Sequence, residues 1–135
     1  MFFQLNITLF FIVAAILVVG GYGPLTKSSK SVEAITTDGT PLCKLPDLPD
    51  HRSDHTIDNN IMCGGSSNPT SCLSFVAGNW TKYGDDLKTK RYHHVSWRKP
   101  NSKVVLIGGT YNWKTSEVVS SSGHQKGFDI KHEVQ

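Results

Sequence analysis

Two stretches of this 135-residue chain carry the same spacing of unlike residues, and that recurrence limits the fold more than any other feature. Leu48, Arg52 and His55 lead to the pair Gly64-Gly65, and Leu87, Arg91 and His94 lead to Gly108-Gly109. Both stretches obey Leu-x-x-x-Arg-x-x-His. Each ends on an apolar run that stops at its glycines, Ile61-Met62-Cys63 in the first and Val104-Val105-Leu106-Ile107 in the second. The arginines lie 39 residues apart (52 to 91) and the glycine pairs 44 apart (64 to 108), a difference that the longer turn 98–102 absorbs. A period of this size, with several strands in each copy, is the spacing of a repeat architecture in which each unit buries its apolar face on the next.

Between these landmarks the chain reads as short β-type runs broken by turn residues, with no window of helical apolar spacing. Strands are expected at 32–36, 55–58, 60–64, 72–77, 80–83, 92–97, 103–108, 117–121 and 128–132. Asp38-Gly39, Asp58-Asn59, Asn68-Pro69, Gly84-Asp85-Asp86, Pro100-Asn101 and Ser122-Gly123 punctuate them. A second echo supports the repeat: Glu117, Val118 and Gly123 reproduce Glu33, Ala34 and Gly39, each pair 84 residues apart.

The amino terminus reads differently. Leu5 to Val19 is an almost unbroken apolar run closed by Gly20 and Gly21. Its length and small-residue end match a signal peptide, residues 1–21, cut before Tyr22. A membrane anchor is the alternative, because no Lys or Arg precedes the run. Residues 22–31 are small and polar and are expected to form a flexible lead-in to a folded part over 32–135. A secreted, extracellular product follows, with no membrane attachment after cleavage. Of the three cysteines, Cys63 and Cys72 are expected to pair across successive strands, leaving Cys43 over. The formal charge of +3 is spread thinly, and its longest basic cluster is Lys88-Thr89-Lys90-Arg91, so no nucleic-acid footprint is read.

The order Cys63-Gly64-Gly65, Phe75, Gly78-Asn79-Trp80, Arg91, His94 and Ile107-Gly108-Gly109 resembles the kelch-repeat β-propeller family, over Leu48 to Gly109 above all. Beyond Gly109 the pattern departs: Phe128 stands where tryptophan is expected and the Arg and His do not recur. The resemblance implies an all-β fold, a partial propeller of about two and a half four-stranded antiparallel blades. It makes Arg52, His55, Gly64, Gly65, Phe75, Trp80, Arg91, His94, Gly108 and Gly109 structural repeat residues. Too few strands are present to close a ring, so the chain reads as part of a larger propeller. Association through open blade edges is then expected.

The functional expectation is a non-catalytic scaffold that binds a protein partner without a cofactor, with Tyr111 and Trp113 as the most interface-like side chains. Asp50, His51, Asp54, His55, His93 and His94 can be drawn as metal ligands, but the repeat register already accounts for His55 and His94, so no metal is assigned. The alternatives are a fragment of a secreted copper enzyme resembling galactose oxidase, which would draw on Tyr83, Tyr92, Tyr111, Cys43 and histidines, or a membrane-anchored kelch protein. No nucleophile elbow, phosphate-cradling loop or Cys-x-x-Cys pair is present. Asn79-Trp80-Thr81 is an acceptor triplet for glycosylation. Glycosidase treatment of the secreted protein is expected to increase its gel mobility, and Asn79→Gln to abolish that shift; unchanged mobility of the wild type refutes occupancy.

Overall fold

Every apolar run that stops at a glycine pair becomes a strand of an antiparallel sheet, an inner one at Gly64-Gly65 and Gly108-Gly109 and an edge one at Gly20-Gly21. The computed structural model describes residues 15–24, 27–58, 60–100, 103–110 and 113–129, with 123–129 described by backbone alone. Among them there are strands and no helix. Sheet I has the order β1 (Ala15–Val19), β4 (Val32–Thr36), β5 (Pro41–Lys44), and a small hairpin of β2 (Tyr22–Gly23) and β3 (Lys27–Ser28) lies between its first two strands in sequence. Sheet II runs β6 (Thr56–Asp58), β7 (Ile61–Cys63), β8 (Cys72–Val76), β9 (Asn79–Lys82). Sheet III runs β10 (Val95–Arg98), β11 (Val104–Ile107), β12 (Thr115–Ser120), β13 (Gly123–Asp129). All pairings are antiparallel between sequence neighbours, apart from β1 with β4, which spans the β2–β3 hairpin.

The two-residue side-chain period of a strand sends alternate residues of sheet II to opposite faces. Met62 and Leu73, paired across β7 and β8, join Val32 and Leu48 in one buried cluster, with Leu17, Val19, Leu45 and Trp80 packed against it. Ile61, Cys63 and Cys72 point the other way, into a second cluster with Leu87, Val104, Leu106 and Val119. Sheet II is therefore covered on both faces, by sheet I and by sheet III. Each of these side chains removed from water contributes about 1.5–3 kcal/mol, so the two clusters are the main cohesive term. Trp80 stands over Phe75 with ring centroids 5.0 Å apart, and its indole N–H donates to the Pro46 carbonyl at 3.1 Å, which ties sheet II to the strand linker before it. Cys63 and Cys72 oppose one another across β7 and β8 and form a disulfide. Closing so short a loop is worth about 2–3 kcal/mol in the chain-entropy account. Cys43, on β5, is free and exposed.

Two segments depart from the sequence reading. Residues 22–31, expected without structure, carry the β2–β3 hairpin, and Ser29 bridges to Arg52. Ala15–Val19, the end of the run read as a leader, pairs residue for residue with β4. Apolar strands and signal cores share one signature, an unbroken apolar run, so hydropathy alone does not separate them. The glycines that end this run repeat the later pairs: 20, 64 and 108 are successive steps of 44 residues. The N–H groups of Gly20, Gly64 and Gly108 donate at 2.9 Å to the carbonyls of Ser31, Ser71 and Thr115. What sequence reading counts as half a repeat before sheet II is thus a three-stranded sheet.

Gly20 and Gly64 adopt φ of +59° and +66°, and a Cβ there would run into the Arg52 and Arg91 carbonyl oxygens respectively. Gly39 also has positive φ, +87°, but open space around it. Gly64→Ala is therefore expected to destabilise the fold by more than the ~1–3 kcal/mol of backbone strain alone, whereas Gly39→Ala stays within that range. Urea midpoints of the two variants test this, and equal losses would contradict it.

Candidate functional site

The linkers between sheets carry the repeated polar residues inward, because their backbone is pinned to the preceding sheet. Leu48 and Arg52 donate their N–H groups to Lys30 and Ser29, and Leu87 and Arg91 donate theirs to Thr70 and Pro69, in the same pattern. Each arginine then enters the interior, Arg52 with no exposed surface and Arg91 with 1 %. The Arg52 guanidinium donates to the Gly64 and Ser71 carbonyls at 3.0 Å, to the Asn68 carbonyl at 3.5 Å and to the Ser71 hydroxyl. Its remaining edge grips Asp50, Nε to Oδ1 at 2.6 Å and Nη2 to Oδ2 at 3.1 Å. Burial alone would raise the Asp50 carboxyl, but hydrogen bonds from Arg52 and Asn68 outweigh it and hold the group below the ordinary carboxylate range. A buried guanidinium is tolerable when every donor is used and a charge opposes it, and this one meets both conditions.

The second copy keeps the carbonyl contacts and changes the carboxylate. Arg91 donates to the Gly108 carbonyl at 2.6 Å, to the Thr115 carbonyl at 3.2 Å and to the Thr115 hydroxyl at 2.9 Å. Thr89 stands where Asp50 stands in the first copy, two residues before the arginine. The opposing charge comes instead from Glu117 on β12, 2 % exposed, whose Oε2 is 3.7 Å from Arg91 Nε while its other oxygen accepts from the Lys88 N–H at 2.7 Å. Neither Arg91 Nε nor Glu117 Oε2 has a hydrogen-bond partner. Glu117 pairs with Leu106 as Leu73 pairs with Met62, so the carboxylate occupies a position that is apolar in sheet II. A cavity of about 270 Å³ opens here, lined by Lys88, Thr89, Arg91, Thr115, Ser116 and Glu117.

His55 and His94 sit over the glycine pairs. A Cβ on Gly65 or Gly109 would lie 3.2 Å or 3.0 Å from the histidine Cβ, and His94 Nε2 is 2.8 Å from the Thr56 hydroxyl of sheet II. Burial, with help from the Arg91 charge, lowers His94 to about 4, and burial lowers His55 in the same direction. These rings are neutral structural groups at neutral pH. The loop surface nearby is more exposed. Asp54 and His93, both at positive φ, face one another at 3.1 Å, and the Asp54 carbonyl accepts from the His93 N–H at 3.0 Å. Trp113 is 57 % exposed, with the Lys114 ammonium 4.5 Å from its ring centroid.

The residues singled out from sequence therefore fall into separate places. Arg52, His55, Gly64 and Gly65 form one cluster, and Arg91, His94, Gly108 and Gly109 form its copy. Phe75 and Trp80 belong to the packing of sheet II, and Asn79 is exposed at the start of β9. Trp113 is on the surface, and Tyr111 lies outside the described residues. Among the described residues, no group of three or more His, Cys, Asp or Glu converges as metal ligands would. Sequence reasoning misses the roles of Asp50 as the Arg52 counter-charge, of Glu117 as the Arg91 counter-charge and of Gly20 and Gly21 as a third glycine pair. The step of 44 residues back from Gly64 is the signal that reveals the last of these. No family model matches the chain, and no curated protein matches it.

A pH dependence follows from the buried histidines. Unfolded His94 takes up a proton near pH 6.5, whereas the folded ring resists until about pH 4. The unfolded chain thus binds more protons between these values. Stability is complete above about pH 6.5 and falls as pH drops toward 4, by about 3 kcal/mol for this one group. Urea midpoints between pH 7 and 4.5 are expected to drop, and His94→Gln to flatten that drop; an unchanged slope in the variant removes His94 as its source.

Proposed function

We propose that this chain is an arc of a secreted kelch-type β-propeller, a non-catalytic scaffold that binds a protein partner through its exposed loops. The observation that carries the reading is the recurrence of the glycine pair at positions 20, 64 and 108, with the carbonyl of a buried arginine and the ring of a histidine packed over the first glycine of each of the first two pairs. Such a repeated tie spends the conspicuous polar residues on joining sheets, which leaves recognition to the loops. Each four-stranded sheet then corresponds to a blade, and sheet I to a blade with three of its strands described. The Cys63–Cys72 disulfide fits an oxidising compartment, and no helix among the described residues is long and apolar enough to cross a membrane.

Trp113 and Lys114 are the favoured contact on that loop surface. An exposed tryptophan beside a cation is the composition of an interface anchor, and truncating such an anchor costs about 2 kcal/mol or more, about a 30-fold loss of affinity. A partner recovered from secreted fluid and titrated against the purified chain is expected to bind Trp113→Ala at least about 30-fold more weakly, with the Cys63–Cys72 bond intact. Binding unaffected by that substitution would move recognition off this loop, and turnover of a substrate by the purified chain would refute the non-catalytic reading.

A further inference from the structure

The two arginine ties are one arrangement built twice, and the point where they differ has the chemistry of a binding site. In the first, both oxygens of the Asp50 carboxylate accept from one edge of the Arg52 guanidinium, from Nε at 2.6 Å and from Nη2 at 3.1 Å. In the second, Arg91 keeps the contacts to the carbonyls of its sheet and to the hydroxyl of Thr115, which stands in the register of Ser71. Thr89 stands in the register of Asp50, and its shorter, uncharged side chain leaves Arg91 Nε without a partner. Glu117 stands in the register of Leu73, and its Oε2, 3.7 Å from that nitrogen, is without a partner too. Arg91 and Glu117 are both buried, and with Thr89 they line the cavity of about 270 Å³. One water needs only ~10–15 Å³ of such space, so the volume suits a small molecule or an inserted side chain. Lys88 is exposed and Thr89 half-buried, which places the open side of the cavity beside them.

Electrostatics and shape together select the occupant. Arg91 and Glu117 already oppose one another, so an added anion would meet the Glu117 carboxylate and an added cation would meet the guanidinium. A neutral group that accepts from Arg91 Nε and donates to Glu117 Oε2 satisfies two buried atoms that are costly to leave without hydrogen bonds. The first tie supplies the shape, since the group that the guanidinium edge takes there is the planar carboxyl of a short side chain. A primary carboxamide has the same plane and size, with an amino donor in place of one oxygen. We infer that the cavity beside Arg91 and Glu117 binds a primary carboxamide, its carbonyl oxygen accepting from Arg91 Nε and its amino group donating to Glu117 Oε2. A free small amide and the Asn or Gln side chain of a bound polypeptide present this same chemistry. The inference goes beyond the scaffold reading and does not rest on it, because it draws only on the two ties within the chain.

Titration of the purified, isotope-labelled protein with acetamide, followed by nuclear magnetic resonance, tests this. A saturable shift of the Arg91 Nε–H resonance is expected, with acetate binding at least about 10-fold more weakly because its charge faces Glu117. Glycerol, which offers hydroxyls without the planar group, is also expected to bind more weakly than acetamide. Glu117→Gln is expected to remove the discrimination against acetate. Thr89→Asn is expected to abolish the acetamide shift by setting its own carboxamide against Arg91, with the Cys63–Cys72 bond and strand circular dichroism retained. Thr89→Gln replaces that variant if it unfolds. A capped Gly-Asn-Gly peptide that binds more tightly than acetamide identifies a polypeptide side chain as the occupant, and one that binds no more tightly identifies a free amide; either upholds the inference. An Arg91 resonance that acetamide does not move, acetate or glycerol binding as tightly as acetamide, or acetamide binding undiminished in Thr89→Asn would each overturn it. Binding through Trp113 is measured separately, so failure here leaves the scaffold reading standing.

Discussion

A buried guanidinium bonded to the carbonyls at the end of the next sheet is the interaction on which the arrangement depends. Arg52 is rooted in the linker after sheet I by its own backbone, which donates to Ser29 and accepts from Gly21, while its side chain holds Gly64 and Ser71 of sheet II. One residue thereby fixes the end of one sheet against the end of the next. The geometry works because the glycines leave room: the Arg52 carbonyl passes 2.6 Å from where a Gly20 Cβ would stand. The Arg, the His over the glycines and the glycines themselves form one unit, and none of the three keeps its purpose without the others. Apolar burial supplies the cohesion of the junctions, but it is non-directional. The arginine bonds supply the register.

The two ties differ in a way that separates their energetics. Arg52 finds its counter-charge two residues away, at 2.6 Å, on the half-exposed Asp50. Arg91 finds it on a different strand, at 3.7 Å, in a carboxylate nearly sealed from solvent. A pair buried on both sides loses more hydration and is repaid only if the geometry is close, so the second tie is the weaker contributor of the two. Its unpartnered atoms and the adjoining cavity belong to the same local fact, that Glu117 reaches across from an otherwise apolar row instead of extending from the linker.

Much of this was legible in the sequence, and the exceptions have physical causes. The strands of sheet II and the first three of sheet III lie within a few residues of the expected ranges because turn residues bound them and their apolar residues recur with the repeat, whereas β13, expected at 128–132, begins at Gly123 because its polar start carries no apolar residue to mark it. Cys63 and Cys72 were readable because strands joined by a short turn bring cross-strand neighbours together. β1 is not readable as a strand, since it is apolar throughout although it stands at the edge of its sheet, and an unbroken apolar run reads as a leader does. β5, Pro41–Lys44, was missed because it is exposed along its whole length and so carries no buried apolar residue to mark it. Glu117 echoes Glu33 in the sequence, but spacing does not reveal its charge partner: Arg91 and Glu117 are brought together by the path of a linker, not by any local period.

The division of labour between interior and surface follows from the same repeat. A strand pair with period two presents two apolar faces, so each sheet needs a neighbour on both sides, and among the described residues sheet II has both. Residues that would otherwise look chemical are consumed in meeting that need: arginines become clamps on carbonyls, histidines become neutral wedges over glycines, and a glutamate becomes a buried counter-ion. Chemistry at those positions would require freeing a group whose removal opens a junction. At the surface the Asp54–His93 pair lies in the linkers into sheets II and III, and the Trp113–Lys114 loop joins β11 to β12 within sheet III. Asp54 and His93 thus join one linker to the next at the surface, as the arginines join one sheet to the next beneath it.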